Sequence, residues 1–202
     1  MDRSKLWPLT QSFELVKGNA ADVAQAVYNE IFRYTNESGI VLEEFKASSL
    51  GDIILSETIL TNIPTKICIM PSKTLWSIIW VNSFLCDGYD SLSYNLTRLY
   101  KFDTFRFSSH DALTTFLPGS SFTYRYNHND NIIQRTVQAY LDDNDKWKFF
   151  QKGNPCDFEF PETYNDRIIK NRLNEKQINR IFDKIGINPW NEEYFDFNRM
   201  SY

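Results

Sequence analysis

Histidine, the side chain best suited to proton transfer near neutral pH, occurs only twice, at His110 and His128. His110 is followed by Asp111, the dipeptide of metal-dependent phosphohydrolases. Those sites draw on further histidines, which this chain lacks. His110 therefore reads as a loop histidine, and a hydrolase built on His110 and Asp111 stands as the alternative. His128 lies in the polar run 127–131 and is expected in solvent. A nucleophile–base pair would need Cys or Ser beside one of these imidazoles. Cys86, next to Asp87 and Gly88, is the best thiol, but a neighbouring carboxylate raises a thiol pKa and suppresses the thiolate. The three cysteines, Cys68, Cys86 and Cys156, stand far apart. They give neither a disulfide framework nor the closely spaced ligands of a zinc site. Cys68, among Ile67, Ile69 and Met70, reads as a buried strand residue.

Carboxylates offer more. Asp142, Asp143 and Asp145 have the density of a calcium loop but lack its central glycine and distal Glu, so they read as a hairpin turn. Glu43 and Glu44 are sequence neighbours, point apart, and make weak evidence for a glycosidase pair. The chain has no phosphate-binding loop and no Gly-x-Gly-x-x-Gly. No catalytic residue, cofactor or metal is expected, and binding is the preferred reading over catalysis. Two acidic places could meet a basic protein partner: the turn Asp142, Asp143, Asp145 and the tail Glu192, Glu193, Tyr194, Asp196. Charge there would speed encounter and aromatics would slow release. Arg167, Lys170, Arg172, Lys176, Arg180 and Lys184 form a basic run interleaved with Asp166, Glu175 and Asp183. That run reads as a solvated helix face, with a nucleic-acid-associated regulator using Arg167–Lys184 as the other alternative.

The elements that must carry these groups follow from periodicity. Phe13 to Lys17 is a short strand, and Asn19 can cap a helix with Asp22 in its first turn. Val23, Ala26, Val27, Ile31 and Tyr34 recur at helical spacing up to Gly39. A second helix is expected from Ser48 or Ser49 to about Leu60. Lys66–Met70 and Thr74–Phe84 read as strands, with Trp76, Ile78 and Trp80 on one face. Asp90–Tyr100 reads as a helix with Leu92, Leu96 and Leu99 on one side, and Phe102–Phe107 as the next strand. Strand, helix and strand over 74–107 suggest a parallel crossover. Residues 121–160 alternate like an antiparallel meander, with Ile133, Arg135, Val137, Ala139 and Leu141 on one face. Towards the C-terminus, Pro161 suits a first helical position, Tyr164, Ile168 and Leu173 give a partial stripe, and Asn174 with Gln177 resembles a capping box. Ile178, Ile181, Phe182 and Ile185 form the apolar face before a Gly186 cap.

These elements predict one α+β domain over 1–202: a central mixed or mainly antiparallel sheet, packed helices and a C-terminal helix pair. Trp76, Trp80, Phe105, Val137, Trp147, Phe149, Ile181 and Phe182 are the expected core. Hydrophobic residues at 42% and charged residues at 24% match ordinary globular usage. A net charge of −4 disfavours a duplex nucleic-acid binder. No apolar run reaches 18 residues and the first residues have no signal-peptide core, so a cytoplasmic protein with no membrane contact is expected. The sequons at Asn36 and Asn95 then read as chance matches.

One stretch carries a family likeness. Arg135-Thr136-Val137 is followed by Trp147-Lys148-Phe149, by Gly153-Asn154-Pro155 with Phe158-Glu159, then by Tyr164, Arg167, Arg172-Leu173 and the ending Ile185-Gly186-Ile187. Leu75-Trp76 through Asn82 and Asp87-Gly88 fit upstream. This pattern resembles small bacterial immunity proteins of contact-dependent growth inhibition and related polymorphic toxin systems. The resemblance implies a cytoplasmic antitoxin that binds and neutralises one cognate toxin domain, often a nuclease. It transfers no catalytic residue.

Overall fold

The computed structural model describes residues 12–35, 40–46, 48–49, 67–81, 89–110, 118–199 and 201–202, without the side chains of Tyr89 and His110. Its centre is a seven-stranded sheet in which every pairing is antiparallel. In chain order the elements are β1 (Ser12–Lys17), α1 (Ala20–Thr35), β2 (Ile67–Pro71), β3 (Trp76–Val81), α2 (Tyr89–Tyr100), β4 (Thr104–His110), β5 (Gly119–His128), β6 (Asn131–Leu141) and β7 (Trp147–Lys152). A 3-10 turn (Pro161–Asn165) and a C-terminal helix pair follow, α3 (Ile169–Arg172) and α4 (Glu175–Ile185), then a second 3-10 turn (Glu192–Tyr194). The fold is α+β. None of the described helices is long and apolar enough to cross a membrane.

Strand order is β2-β3-β1-β4-β5-β6-β7. The expected crossover over 74–107 is therefore corrected in one respect. β3 and β4 do run parallel, but β1 lies between them and pairs antiparallel with both. β1 reaches that slot because its buried run, Phe13 to Val16, is apolar or buried on both faces, as a central strand requires. β4 begins at Thr104 rather than Phe102 and runs on to His110.

Each sheet face buries its own core. On one, Phe13, Leu15, Trp76, Ile78, Trp80, Phe105, Phe107, Phe122 and Val137 meet Ile178, Ile181 and Phe182 of α4, and Trp190 and Phe195 beyond it. Phe182 packs edge-on against Phe107 at 4.6 Å and against Trp190 at 5.3 Å. The opposite face puts Val16, Ile69 and Ile79 under Val23, Ala24 and Val27 of α1, with Leu96 of α2. Trp147 and Phe149 are only half-buried, because β7 is the last of the described strands and the cover on its core face comes from Tyr164 and Arg172 rather than from a further strand. Ile168 is 52% exposed and Leu99 is 41% exposed, so neither joins the stripe expected of it. In α2 the inward positions are polar instead: Ser93 and Thr97 are fully buried beside Leu96.

Local chemistry sets the ends of elements. Asn19 Oδ1 accepts the Asp22 N–H at 2.9 Å, starting α1. Asn174 Oδ1 accepts the Gln177 N–H at 3.1 Å, starting α4, and Gly186 closes that helix at φ 80, a conformation costly for a residue with a Cβ. Asn129 and Asp130, both at positive φ, form the two-residue β5–β6 turn. The second helix expected over 48–60 lies outside the described residues apart from Ser48 and Ser49, as does Gly39.

Candidate partner-binding surface

Within the stretch 135–187, Arg135, Gly153, Glu159 and Tyr164 are joined around one buried ion pair. Arg135 lies on the core face of β6 and is 2% exposed. Its Nε donates to Glu159 Oε1 at 2.9 Å and its Nη2 to Glu159 Oε2 at 2.8 Å. Nη1 donates to the Gly153 carbonyl at 2.8 Å and Nη2 also to Gln151 Oε1 at 3.0 Å. Glu159 in turn accepts the Cys156 N–H at 2.7 Å and the Tyr164 hydroxyl at 2.8 Å. Gly153 sits at φ 83 against the Gln134 carbonyl, where a Cβ would not fit. The spaced Arg, Gly and Glu thus form a bracket that pins the 153–165 segment onto the sheet. Burial opposes the charge on Arg135, but the Glu159 carboxylate outweighs it and raises the guanidinium pKa. Burial, with Glu159 beside it, pushes the Cys156 thiol up to about 12, which leaves it inert as a nucleophile. Every hydrogen-bonding group named here is engaged, so the bracket presents nothing to a ligand.

Asp142, Asp143 and Asp145 form the β6–β7 turn, as read from the sequence. Asp142 Oδ1 accepts the N–H of Asn144 at 3.0 Å and of Lys146 at 2.9 Å. The Lys146 N–H is the leading cause that lowers the Asp142 pKa. Asp142 thus folds the turn, while Asp143 and Asp145 project into solvent, Asp145 from a left-handed φ of 56. Behind them on the face of the sheet that carries α1 and α2, Tyr140 of β6 and Phe150 of β7 are 40% and 46% exposed. Tyr140 faces Lys148, and Phe150 faces Gln138, so the two rings are diagonal neighbours. Sequence reasoning missed this pair. The strand alternation that put Val137 and Ala139 inward could have placed Tyr140 outward.

The acidic tail divides differently. Trp190 and Phe195 are buried and Tyr194 is half-buried. The Lys73 N–H donates to the Tyr194 carbonyl at 2.9 Å, and the Asp196 N–H to Pro71 O at 3.0 Å. Asp196 also pairs with Arg199 at 3.0 Å. Glu193 stands exposed and Glu192 half-buried in the 3-10 turn. This segment closes the sheet beside β2, and its distance along the chain and the sheet from the β6–β7 turn separates the two acidic places.

Beneath α2 lies a polar layer that the sequence did not announce. Arg125, 2% exposed, donates to Asp90 at 2.6 Å, to Ser93 at 3.0 Å and to Gln134 at 2.9 Å. Glu14 on β1 is buried next to it, and its Oε1 has no hydrogen-bond partner among the described residues. Burial raises the Glu14 pKa to about 7, against the pull of Ser93, Arg106 and Arg125. Asn95 is 4% exposed with its amide on the Tyr34 hydroxyl, so its sequon is not presented to solvent.

Compared with known protein families, curated proteins and solved structures, the chain gives no match.

Among the described residues no three His, Cys, Asp or Glu side chains gather as metal ligands would. Cys86, Asp111 and the His110 side chain lie outside the described residues, and His128 is exposed. The basic run is partly engaged. Arg180 stacks on Phe160 at 3.7 Å, Lys184 lies over the same ring and donates to Asp157 O, and Arg172 covers Phe149. An open cleft of about 470 Å³ between the first 3-10 turn and α4 is lined by Glu162, Asn165, Asn171 and Lys176, among other polar residues. It offers no apolar wall to hold a small ligand.

Proposed function

We propose that this chain is a non-catalytic binding protein, an immunity protein that occupies and neutralises a cognate toxin domain of the kind a nuclease with a basic cleft represents. The observation that carries the reading is the β6–β7 hairpin. A carboxylate-folded turn holds Asp143 and Asp145 in solvent beside the exposed rings of Tyr140 and Phe150. Fixed carboxylates match phosphate-binding basic groups, and exposed aromatics supply contact area that desolvates on docking. Support also comes from the resemblance, whose Arg135, Gly153 and Glu159 brace the strand next to this hairpin.

Co-expression with a toxin domain encoded by a neighbouring gene is the direct test. The expected result is restored growth and co-purification, with D143K/D145K weakening the complex about tenfold or more while the variant stays folded. Failure to protect or co-purify would end the immunity reading. An intact complex with D143K/D145K would move the interface to Glu192, Glu193, Tyr194 and Asp196.

A further inference from the structure

The two edges of the sheet are treated differently. At β2 the chain covers its own edge: Ile69 and Tyr202 exchange two backbone hydrogen bonds at 2.6 and 3.0 Å, and Pro71 receives the Asp196 N–H. β7, at the other end, receives no such cover among the described residues. Its open groups can be named. The Asp142 N–H bonds Lys146 O across the turn, and Leu141 N–H bonds Pro118 O on the far side of β6. Antiparallel ladders alternate, so Lys148, Phe150 and Lys152 turn their backbone groups towards β6. Trp147, Phe149 and Gln151 then turn their N–H and C=O groups outward. On the face shared with α2, β7 presents Lys148, Phe150 and Lys152, all exposed, with the Lys148 ammonium 3.6 Å from Asp142 and still open to a second carboxylate on its solvent side.

We infer that β7 accepts an extended segment of a partner protein as an eighth strand, with the pattern acidic–x–apolar–x–acidic. The outward groups of Trp147, Phe149 and Gln151 supply the ladder, Phe150 meets the central apolar side chain, and Lys148 and Lys152 meet the flanking carboxylates. The pattern reads the same in both directions, so it serves a parallel or an antiparallel addition. A second copy of this chain fits worse. The register that joins all three outward residues centres on Phe149 and sets Lys146 of each copy opposite Lys152 of the other, two like-charge pairs that oppose assembly. This inference rests on the proposed function, since it names how the same hairpin takes its partner.

The probe is a short synthetic peptide, Thr-Asp-Val-Leu-Val-Glu-Thr, fluorescently labelled, with a charge-swapped peptide carrying Lys for Asp and Glu. Binding is followed by anisotropy, and amide exchange of the full-length protein by NMR. The acidic peptide should bind and slow exchange at Trp147, Phe149 and Gln151. K148E/K152E should weaken it about tenfold and gain affinity for the charge-swapped peptide, with the native amide spectrum retained. No binding overturns the inference. So does binding without protection of those three amides, which is charge attraction alone, or binding indifferent to K148E/K152E. Protection that rises with protein concentration and no peptide would assign the edge to a second copy instead. Toxin co-purification that survives while the peptide fails leaves the proposed function standing. Peptide binding without toxin protection does the reverse.

Discussion

At the scale of single residues, Glu14 and Arg135 show two outcomes of burying charge. Arg135 finds every partner it needs. Removing one side of such a pair leaves the other charged and unsolvated, at a typical cost of about 3–5 kcal/mol. Glu159→Gln should therefore lower unfolding stability by about that amount, read by urea denaturation with an unchanged m-value. A loss below about 1 kcal/mol would mean that the bracket is not what holds the 153–165 segment. Glu14 finds no partner for Oε1 and is raised to about 7 from an ordinary 4.5. Its folded pKa lies above its unfolded one, so between pH 4.5 and 7 folding takes up a proton. Its contribution is fully present below pH 4.5 and is lost as pH rises to 7. The loss is on the order of 3 kcal/mol. In Glu14→Gln this component disappears, and the stability difference between variant and native chain should shift towards the variant from pH 4.5 to 8. A difference that stays flat with pH would show that Glu14 is solvated.

Among elements, the β6–β7 hairpin divides its carboxylates by task. Asp142 accepts two backbone N–H groups in the turn, and Asp143 and Asp145 are left to the surface. Asp142→Ala should cost about 1 kcal/mol of stability and broaden the turn. D143K should cost under about 0.5 kcal/mol, and D145K somewhat more, since Lys adopts the φ of 56 at this position less readily than Asp. Chemical denaturation of these variants separates folding from binding, and equal losses would mean that the turn has no such division. Helix α2 shows a second element-scale rule. Besides Leu96, it docks through Ser93 and Thr97, which bond Arg125 and Thr104. Hydrogen-bonded docking of this kind is directional and tolerates little shift along the helix axis.

For the whole molecule, the asymmetry of the sheet edges matters most. The C-terminal residues bind back on β2, and Ser201 pairs with Phe45 as well. Removing 196–202 should expose the β2 edge, with its apolar Ile67, Ile69 and Met70. Sedimentation across protein concentrations should then show more self-association than the full chain. Equal sedimentation would show that these residues do not guard the edge.

Much of this was legible in the sequence. Alternation marked the meander β5–β6–β7, and helical spacing with Asn19, Asn174 and Gly186 marked the start of α1 and both ends of α4. These are local matters: a side chain one to four residues away decides them, so sequence order is enough. The acidic turn was legible for the same reason. The strand order was not. Nothing in residues 12–17 says that β1 will insert between β3 and β4, because a central strand is chosen by which distant faces bury together. Nor could spacing show that Arg135 and Glu159 would meet, or that Leu99 would be exposed while Ser93 is buried. Amphipathic patterns rank apolar residues and are blind to a polar side chain whose partner, Arg125, comes from another strand. The open edge of β7 is likewise a property of the assembled sheet. The seven described strands follow from local pattern, and only long-range packing decides which of them stands at the edge among the described residues.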